Sequence, residues 1–442
     1  MTEARSRRPL IGLLGAVGVS TLGTRMSLLA LPWLVLTTTH SAALTGLVSF
    51  AEMAPYVTVQ ALGGPVIDRV GVRVTSVGTD VLAALFMGTV PVLGLLHALP
   101  IPALAALVAV AGAARGAGDA ARDVLVPGVN DLAGGSIERA SGLYDGVSRL
   151  ATLIGMPVAG ILVAVMPATD VVAIDAATFA LSALAVAALV PLAAQPQRHD
   201  HGGAPPDGYL TSLREGFGFL ARDRLLLAVA TMVLVTNFVD QAGSAVLIPV
   251  WAHQIVHSSV ALGLVGAAFS LGAVAGNAVT TILASRLPRR WTYAVGFFIA
   301  GAPRLVAIAL ISAISPVLAV TFVAGLGAGG INPILGVVEY QRVPRHLQAR
   351  VLGAVRASAW AAIPVGSLAG GLIVSLAGDR IALLAAAAVY ACATLPPFIF
   401  PVWQQMNATS APVASPNALT PGSTLPEHAD QDPYLSRSTI EP

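Results

Sequence analysis

The chain has 442 residues, of which 56% are hydrophobic and 10% charged, with a mean hydropathy of +0.80 and a formal net charge of +2. A water-soluble chain of that length covers its surface with far more charge, so this composition takes the bilayer as its solvent and excludes an ordinary soluble globular protein. All 24 basic side chains are arginine, and a chain without lysine has no P-loop, which excludes primary ATP-driven chemistry by this polypeptide.

Apolar runs long enough to cross about 30 Å of hydrocarbon, at about 1.5 Å per residue, recur along most of the chain. They are too long for barrel strands, and backbone polar groups cannot go unpaired in lipid, so they must be helices. The runs predict twelve spans, near residues 10–37, 43–66, 74–97, 101–124, 139–166 and 170–191, then 224–250, 259–284, 291–312, 315–340, 350–376 and 381–403. The first run follows Arg5, Arg7 and Arg8; it is too long for a secretory signal, lacks a small-residue cleavage site, and reads as a retained helix. The other connection arginines sort by side. Arg69, Arg73, Arg139, Arg198, Arg214, Arg222, Arg224, Arg286, Arg289, Arg290, Arg342, Arg345 and Arg350 fall in even-numbered connections, and Arg380 alone in an odd one. That asymmetry predicts a multi-pass protein of the bacterial cytoplasmic membrane with even connections and both termini in the cytoplasm.

Between spans 6 and 7, residues 195–208 are rich in Pro, Gly, His and Asp and read as a flexible linker. From Tyr209 onward Leu213, Phe217 and Leu220 share one side, with Arg214, Glu215 and Arg222 elsewhere, which predicts an amphipathic helix on the inner membrane face. After Trp403 the chain turns polar and rich in Pro, Ser and Ala, so a disordered tail is expected, and the Asn407-Ala-Thr409 sequon in it reads as a chance match. The predicted organisation is an N-terminal six-helix bundle (1–191), a cytoplasmic linker with its helix (192–223), a C-terminal six-helix bundle (224–403) and a tail (404–442). The lone Cys392 rules out an internal disulfide.

Spans 5 and 11 can be laid over each other. Arg139, Gly142, Gly155 and Gly160 match Arg350, Gly353, Gly366 and Gly371, each pair 211 positions apart. The Asp68-Arg69 turn has a weaker partner in Arg286, Arg289 and Arg290, about 217 positions later. Two halves related by duplication follow, although glycines of membrane helices can also coincide by chance.

Gly64, Asp68, Arg69, Gly71 and Arg73 make a polar tight turn between two long apolar runs. The pattern closely resembles the signature loop between the second and third helices of major facilitator superfamily transporters; only Val72, where a basic residue is usual, departs from it. Residues 18–33 and the fifth-span stretch with Gly155, Pro157 and Gly160 resemble the bacterial drug and siderophore exporter branch, which includes macrolide efflux proteins and enterobactin exporters. The fifth-span stretch is similar to the Gly-Pro motif of antiporters, with its proline displaced by one position. Arg115 to Asp119 resembles the fourth-helix arginine motif, with its glycine one residue early. The resemblance implies an all-α integral membrane protein with the major facilitator fold over residues 10–403, its twelve transmembrane helices in two pseudo-symmetric six-helix bundles. It also implies that Asp68, Arg69 and Arg73 help hold the halves together on the cytoplasmic face, and that Arg115 is associated with proton transfer. The transported substrate is carried by none of it.

An ionisable side chain near the bilayer centre costs at least roughly 2.5–3.5 kcal/mol on insertion scales, so each needs a reason. Arg25 is mid-span in span 1, and Asp240 sits at comparable depth in span 7, in a stripe with Asn237, Gln241 and Ser244 at helical spacing. Both are expected to face a central pocket and to be candidates for pairing with each other; a static ion pair locking two helices is the plainer alternative. Glu52, Tyr56 and Gln60 share one face of span 2. A carboxylate withdrawn from water can carry a proton near neutral pH, which makes Glu52 and Asp240 the proton-coupling candidates, with a carboxylate satisfied by hydrogen bonds within the bundle as the equal alternative for Glu52. Arg304 in span 9 is expected to be buried. Toward the cytoplasmic third, Asp80, Arg115, Asp119, Asp123, Asp145, Arg149, Glu339 and Arg356 carry both signs at one depth and suggest an inter-helix network that breaks when the inner side opens.

The predicted function is secondary active transport by alternating access: proton-coupled efflux of amphipathic small molecules such as antibiotics, secondary metabolites or siderophores. The expected partners are that small-molecule substrate, protons and the lipid bilayer, with no nucleic acid, no cofactor beyond the proton gradient, and a monomeric chain. No metal site is expected, because His and Cys lack ligand spacing; His253 and His257 read as a wet outer loop. No enzymatic constellation such as Gly-x-Ser-x-Gly is present. An importer on the same fold and a transport-inactive membrane sensor or scaffold remain as alternatives, the mid-span charges speaking against the latter.

Overall fold

The computed structural model describes residues 6–194, 209–283, 286–344 and 347–407. Among them twelve helices are long and apolar enough to cross a membrane. Spans 1 to 6 are Arg8–Thr39, Ala42–Leu62, Val72–Leu95, Ile101–Ala133, Ile137–Val165 and Ala168–Leu189. Spans 7 to 12 are Arg224–Val256, Ser259–Ile282, Arg289–Leu310, Ile314–Arg342, Arg350–Ala377 and Asp379–Ile399. Span 4 thus runs well past its expected end. Three spans are irregular where the sequence loosens them. Pro364 cannot donate a backbone hydrogen bond, and span 11 breaks at Ala362; span 10 is interrupted at Gly330. Span 7 widens into π turns over Gly243–Leu247 and Ala252–Val256.

The duplicated glycines do the same work in both halves. A Cβ on Gly155 of span 5 would press on Arg25 and Leu22 of span 1, and one on Gly366 of span 11 would strike the Phe238 carbonyl of span 7. A Cβ on Gly160 would lie 2.8 Å from the Cα of Gly263 in span 8, and one on Gly371 would lie 3.1 Å from the Cα of Gly46 in span 2. Gly46 and Gly263 are themselves 217 positions apart. The dipeptides His40-Ser41 and His257-Ser258 share that offset and build matching turns. Each histidine ends its span in the left-handed region (φ 51° and 53°), which His tolerates better than most residues, and each serine hydroxyl accepts one amide in the first turn of the next span, from Leu44 at Ser41 and from Ala261 at Ser258.

Those two crossings join the halves on the face of the odd-numbered connections, where Ser259 also donates to the Gly160 carbonyl at 3.3 Å. Backbones that close leave no room for a side chain, which is what small residues provide between membrane helices. Toward the even-numbered connections Asp123, Asp145, Arg149 and Arg356 are exposed, and the cleft between the halves opens on that side.

Three expectations change. The signature turn is a short helix, Gly64–Val70, that ends at Gly71 with φ 99°, a backbone state suited to glycine. The linker helix Tyr209–Arg222 lies along the start of span 11 instead of only on the membrane face: Leu220 is buried with Val351 and Ala354, the Arg350 carbonyl abuts Gly216, and Arg350 pairs with Glu215. Residues 404–407 are ordered, since Trp403 and Met406 are buried and the Asn407 side chain accepts the Arg290 amide of span 9 at 3.1 Å. The rest of the predicted tail, and the linker at 195–208, lie outside the described residues.

Candidate functional site

A cavity of about 420 Å³ lies between the halves at mid-span depth. Its charged wall is N-terminal: Arg25 from span 1, Glu52 and Tyr56 from span 2, and Arg115, Asp119 and Arg122 from span 4, with Ser20, Thr24 and Ser49 between them. The facing wall is neutral, built from Gln241, Ser244 and Ala245 of span 7 and Trp360 and Ile363 at the break in span 11. Leu28, Met53, Met156 and Phe179 add apolar surface. The π turn beginning at Gly243 and the Ala362 break bring the C-terminal residues to the cavity, so helix irregularity and site coincide.

The charges are held by specific partners. Glu52 pairs with Arg115, both side chains under a tenth exposed. The Arg115 guanidinium also lies 5.4 Å from the Tyr56 ring centre, and the Tyr56 hydroxyl donates to Asp119 at 3.1 Å. Arg122 reaches Asp80 at 3.2 Å and Asp119 at 3.3 Å, while Ser182 donates to Asp80 at 2.6 Å. One connected network thus joins spans 2, 3, 4 and 6.

The expected Arg25–Asp240 pair does not form. Arg25 donates through Nε to Thr152 of span 5 at 3.1 Å, and among the described residues no carboxylate lies within ion-pairing distance of it. Asp240 pairs at 2.9 Å with Arg304, whose guanidinium rests 4.9 Å from the Phe269 ring centre. The polar stripe of span 7 is wide enough to face three neighbours: Asn237 donates to the Ala359 carbonyl of span 11 at 2.8 Å, Asp240 turns to span 9, and Gln241 and Ser244 take the cavity. Asn237, Asp240 and Arg304 therefore stand behind the cavity wall. Gln60 does not line the cavity either, and among the described residues its buried Oε1 has no hydrogen-bond partner.

The inner set divides. Asp123 accepts from Tyr144 at 3.0 Å, and Arg356 of the other half acts electrostatically on both Asp123 and Glu339. Asp145 and Arg149 are exposed. Arg73 caps the end of span 6, donating to the carbonyls of Val190 at 2.5 Å and Ala187 at 2.6 Å, within its own half. Asp68 and Arg69 are exposed, and among the described residues neither forms an ion pair. In this conformation the signature segment does not join the halves. Pro157 sits inside span 5 between the two glycines that meet spans 1 and 8.

Sequence reasoning missed Arg122 and Asp175. Arg122 continues the Arg115 and Asp119 stripe at i, i+4, i+7, and that spacing could have found it. Asp175 is the one acid in the middle of span 6, with Thr178 and Ser182 on the same face. Its carboxyl is fully buried, accepts from Ser27 at 2.5 Å, and is covered by Gly23 of span 1.

Two segments of the chain, residues 13–251 and 231–426, match the sequence profile of the Major Facilitator Superfamily. The multidrug efflux pump Tap of Mycobacterium tuberculosis is 30% identical over 407 residues, covering 91% of this chain and 96% of that protein. The multidrug efflux pump Tap of Mycolicibacterium fortuitum is 28% identical over 393 residues, covering 87% and 93%. Among solved structures, a bacterial homolog of the human lysosomal transporter Spinster, in an inward-facing and unoccupied conformation, superposes with a TM-score of 0.69 at 13% identity, covering 91% of this chain and 98% of that one. The nucleoside transporter NupG superposes with a TM-score of 0.67 at 14% identity, covering 89% and 100%. At those identities the structural likeness shows the fold.

Proposed function

The chain belongs to the major facilitator superfamily, and from that premise we propose that it exports amphipathic small molecules by alternating access, in exchange for protons. The observation that carries the reading is the cavity itself. It sits between two halves sealed on one face and parted on the other, with a charged wall opposite a neutral, partly aromatic one. A cargo with one polar end and an apolar body fits such a chamber; a sugar would want many more converging amides. The relatives named as multidrug efflux pumps support export over import. In this reading Arg25, Gln241, Ser244 and Trp360 contact cargo, and the Glu52–Arg115 pair couples cargo to protons. Asp240 with Arg304 is the C-terminal counterpart, an ion pair standing behind the cavity wall with the Asp240 side chain 43% exposed.

The arginine asymmetry supports a cytoplasmic cleft and cytoplasmic termini in the bacterial plasma membrane. The chain then acts as a monomeric carrier, without cofactor or enzymatic activity, energised by the proton gradient. The test is a host stripped of its own pumps and expressing the chain, challenged with a panel of amphipathic antibiotics. Inhibitory concentrations should rise several-fold for at least one class, and a protonophore or Glu52→Gln should abolish the rise. A correctly inserted chain that protects against none of them would remove the efflux reading. Protection that survives the protonophore would remove proton coupling.

A further inference from the structure

Asp175 is fully buried in span 6. Ser27 of span 1 donates to its Oδ2 at 2.5 Å, and the Thr178 hydroxyl lies 3.4 Å from its Oδ1. Among the described residues no arginine stands within ion-pairing distance. A bare carboxylate withdrawn from water and facing only hydroxyls costs several kcal/mol, so its resting state needs an account.

Two independent observations supply one. In the core of the N-terminal half, the guanidiniums Arg25, Arg115 and Arg122 meet the carboxylates Glu52, Asp80, Asp119 and Asp175. Arg115 takes Glu52, and Arg122 takes Asp80 and Asp119. Arg25 goes to Thr152 and Asp119 is 42% exposed at the cavity, so among the described residues Asp175 is the buried carboxylate of this group left without a guanidinium. The second observation is a count of hydrogens. The Thr178 hydroxyl has one, directed at the Asp175 main-chain carbonyl at 2.7 Å. With that hydrogen used, Oδ1 receives no more than a weak contact from Thr178 at 3.4 Å and is left without a strong donor. Gly23 completes the enclosure: a Cβ there would stand 2.5 Å from Oδ1, so the backbone of span 1 lies directly over that oxygen.

We propose that Asp175 is a proton-binding site of the N-terminal half, holding a proton on Oδ1 in the conformation described and signalling its release to the cavity through Arg115 and Glu52. The charges that act on Asp175 are Arg115 of span 4 and Glu52 of span 2, both of which line the cavity. Span 1 presents Ser27. Span 3 presents Asp80, two turns along at Ser182 and already held by Arg122. When the proton leaves Oδ1 for water, the new carboxylate competes with Glu52 for Arg115. Protonation therefore keeps the Glu52–Arg115 pair closed, and release loosens it. The role in transport rests on the proton-coupled reading above; the protonation itself does not.

Infrared spectra of the purified full chain, in water and heavy water at neutral and alkaline pH, read protonated carboxyl groups directly. Asp175→Asn keeps the shape and the Ser27 contact of a protonated carboxyl. The variant should fold, and one buried carboxyl band of the wild type at neutral pH should be missing from it. An unchanged band overturns the proposal. If that variant does not accumulate, Ser27→Ala is read instead: losing the Oδ2 donor must shift the same band, and an unshifted band overturns the proposal equally. These spectra need neither cargo nor gradient. A wild-type chain that moves no drug on a proton gradient would therefore refute the coupling, and Asp175 would be judged on its band alone.

Discussion

Glu52 and Arg115 have side chains 5% and 8% exposed, whereas Asp240 is 43% exposed beside an Arg304 that is 9% exposed. The same kind of truncation should therefore cost different amounts. Arg115→Ala strands a buried carboxylate and is expected to destabilise the detergent-solubilised protein by about 3–5 kcal/mol. Arg304→Ala leaves a carboxylate that is already partly exposed, and should cost clearly less. Thermal unfolding of the two variants side by side checks the order, and equal losses would mean that the exposure of Asp240 does not relieve its charge. The double change Glu52→Gln with Arg115→Gln removes both charges and should recover much of the loss. Sequence carried these residues only part of the way. Hydropathy gives the depth of Arg25 and Asp240, and helical spacing gives their phase, but neither says which neighbouring helix fills a flank. Thr152 and Arg304 took the places offered to each other's charge.

The spans themselves were readable because lipid permits little else: a long apolar run must pair its own backbone groups. The repeat was readable from spans 5 and 11, and its consequence lies in the crossings it builds. Gly160 against Gly263 and Gly371 against Gly46 are one contact made twice, so matched substitutions should have matched effects. Gly160→Leu and Gly371→Leu each put a side chain where backbone now sits. Each should prise open the odd-connection face and raise the labelling of a cysteine placed at Trp33, beside the His253 ring at 5.4 Å. Gly142→Leu, in the same span as Gly160 but with nothing near its missing Cβ, should leave labelling unchanged. A large effect at Gly160 with none at Gly371 would show that the halves do not share the seal. The linker helix was legible as amphipathic but not as docked, because a period of 3.6 residues reveals an apolar face without naming what covers it.

At the scale of the whole molecule, two arrangements of the same halves must differ in which face is sealed. Interactions present in only one of them set the balance between the two. The glycine crossings belong to the arrangement described. Among the described residues Asp68 and Arg69 contribute no ion pair to it, although the family resemblance gives them a clasping role on the even-connection face. If the clasp exists, it stabilises only the opposite arrangement. Asp68→Asn should then leave the described arrangement intact and shift the population toward it, by a factor of about five for roughly 1 kcal/mol of lost clasp energy. Spin labels at the exposed Asp145 and Arg356 positions would report this as a larger share of the long, open-cleft distance, and adding cargo should pull the wild type the other way more than the variant. Gly160→Leu acts on the opposite seal, so combining it with Asp68→Asn should weaken both arrangements and restore a distribution near the wild-type one. An Asp68→Asn distribution that does not move would leave the signature helix as a local cap, its work confined to the Arg73 bonds that finish span 6.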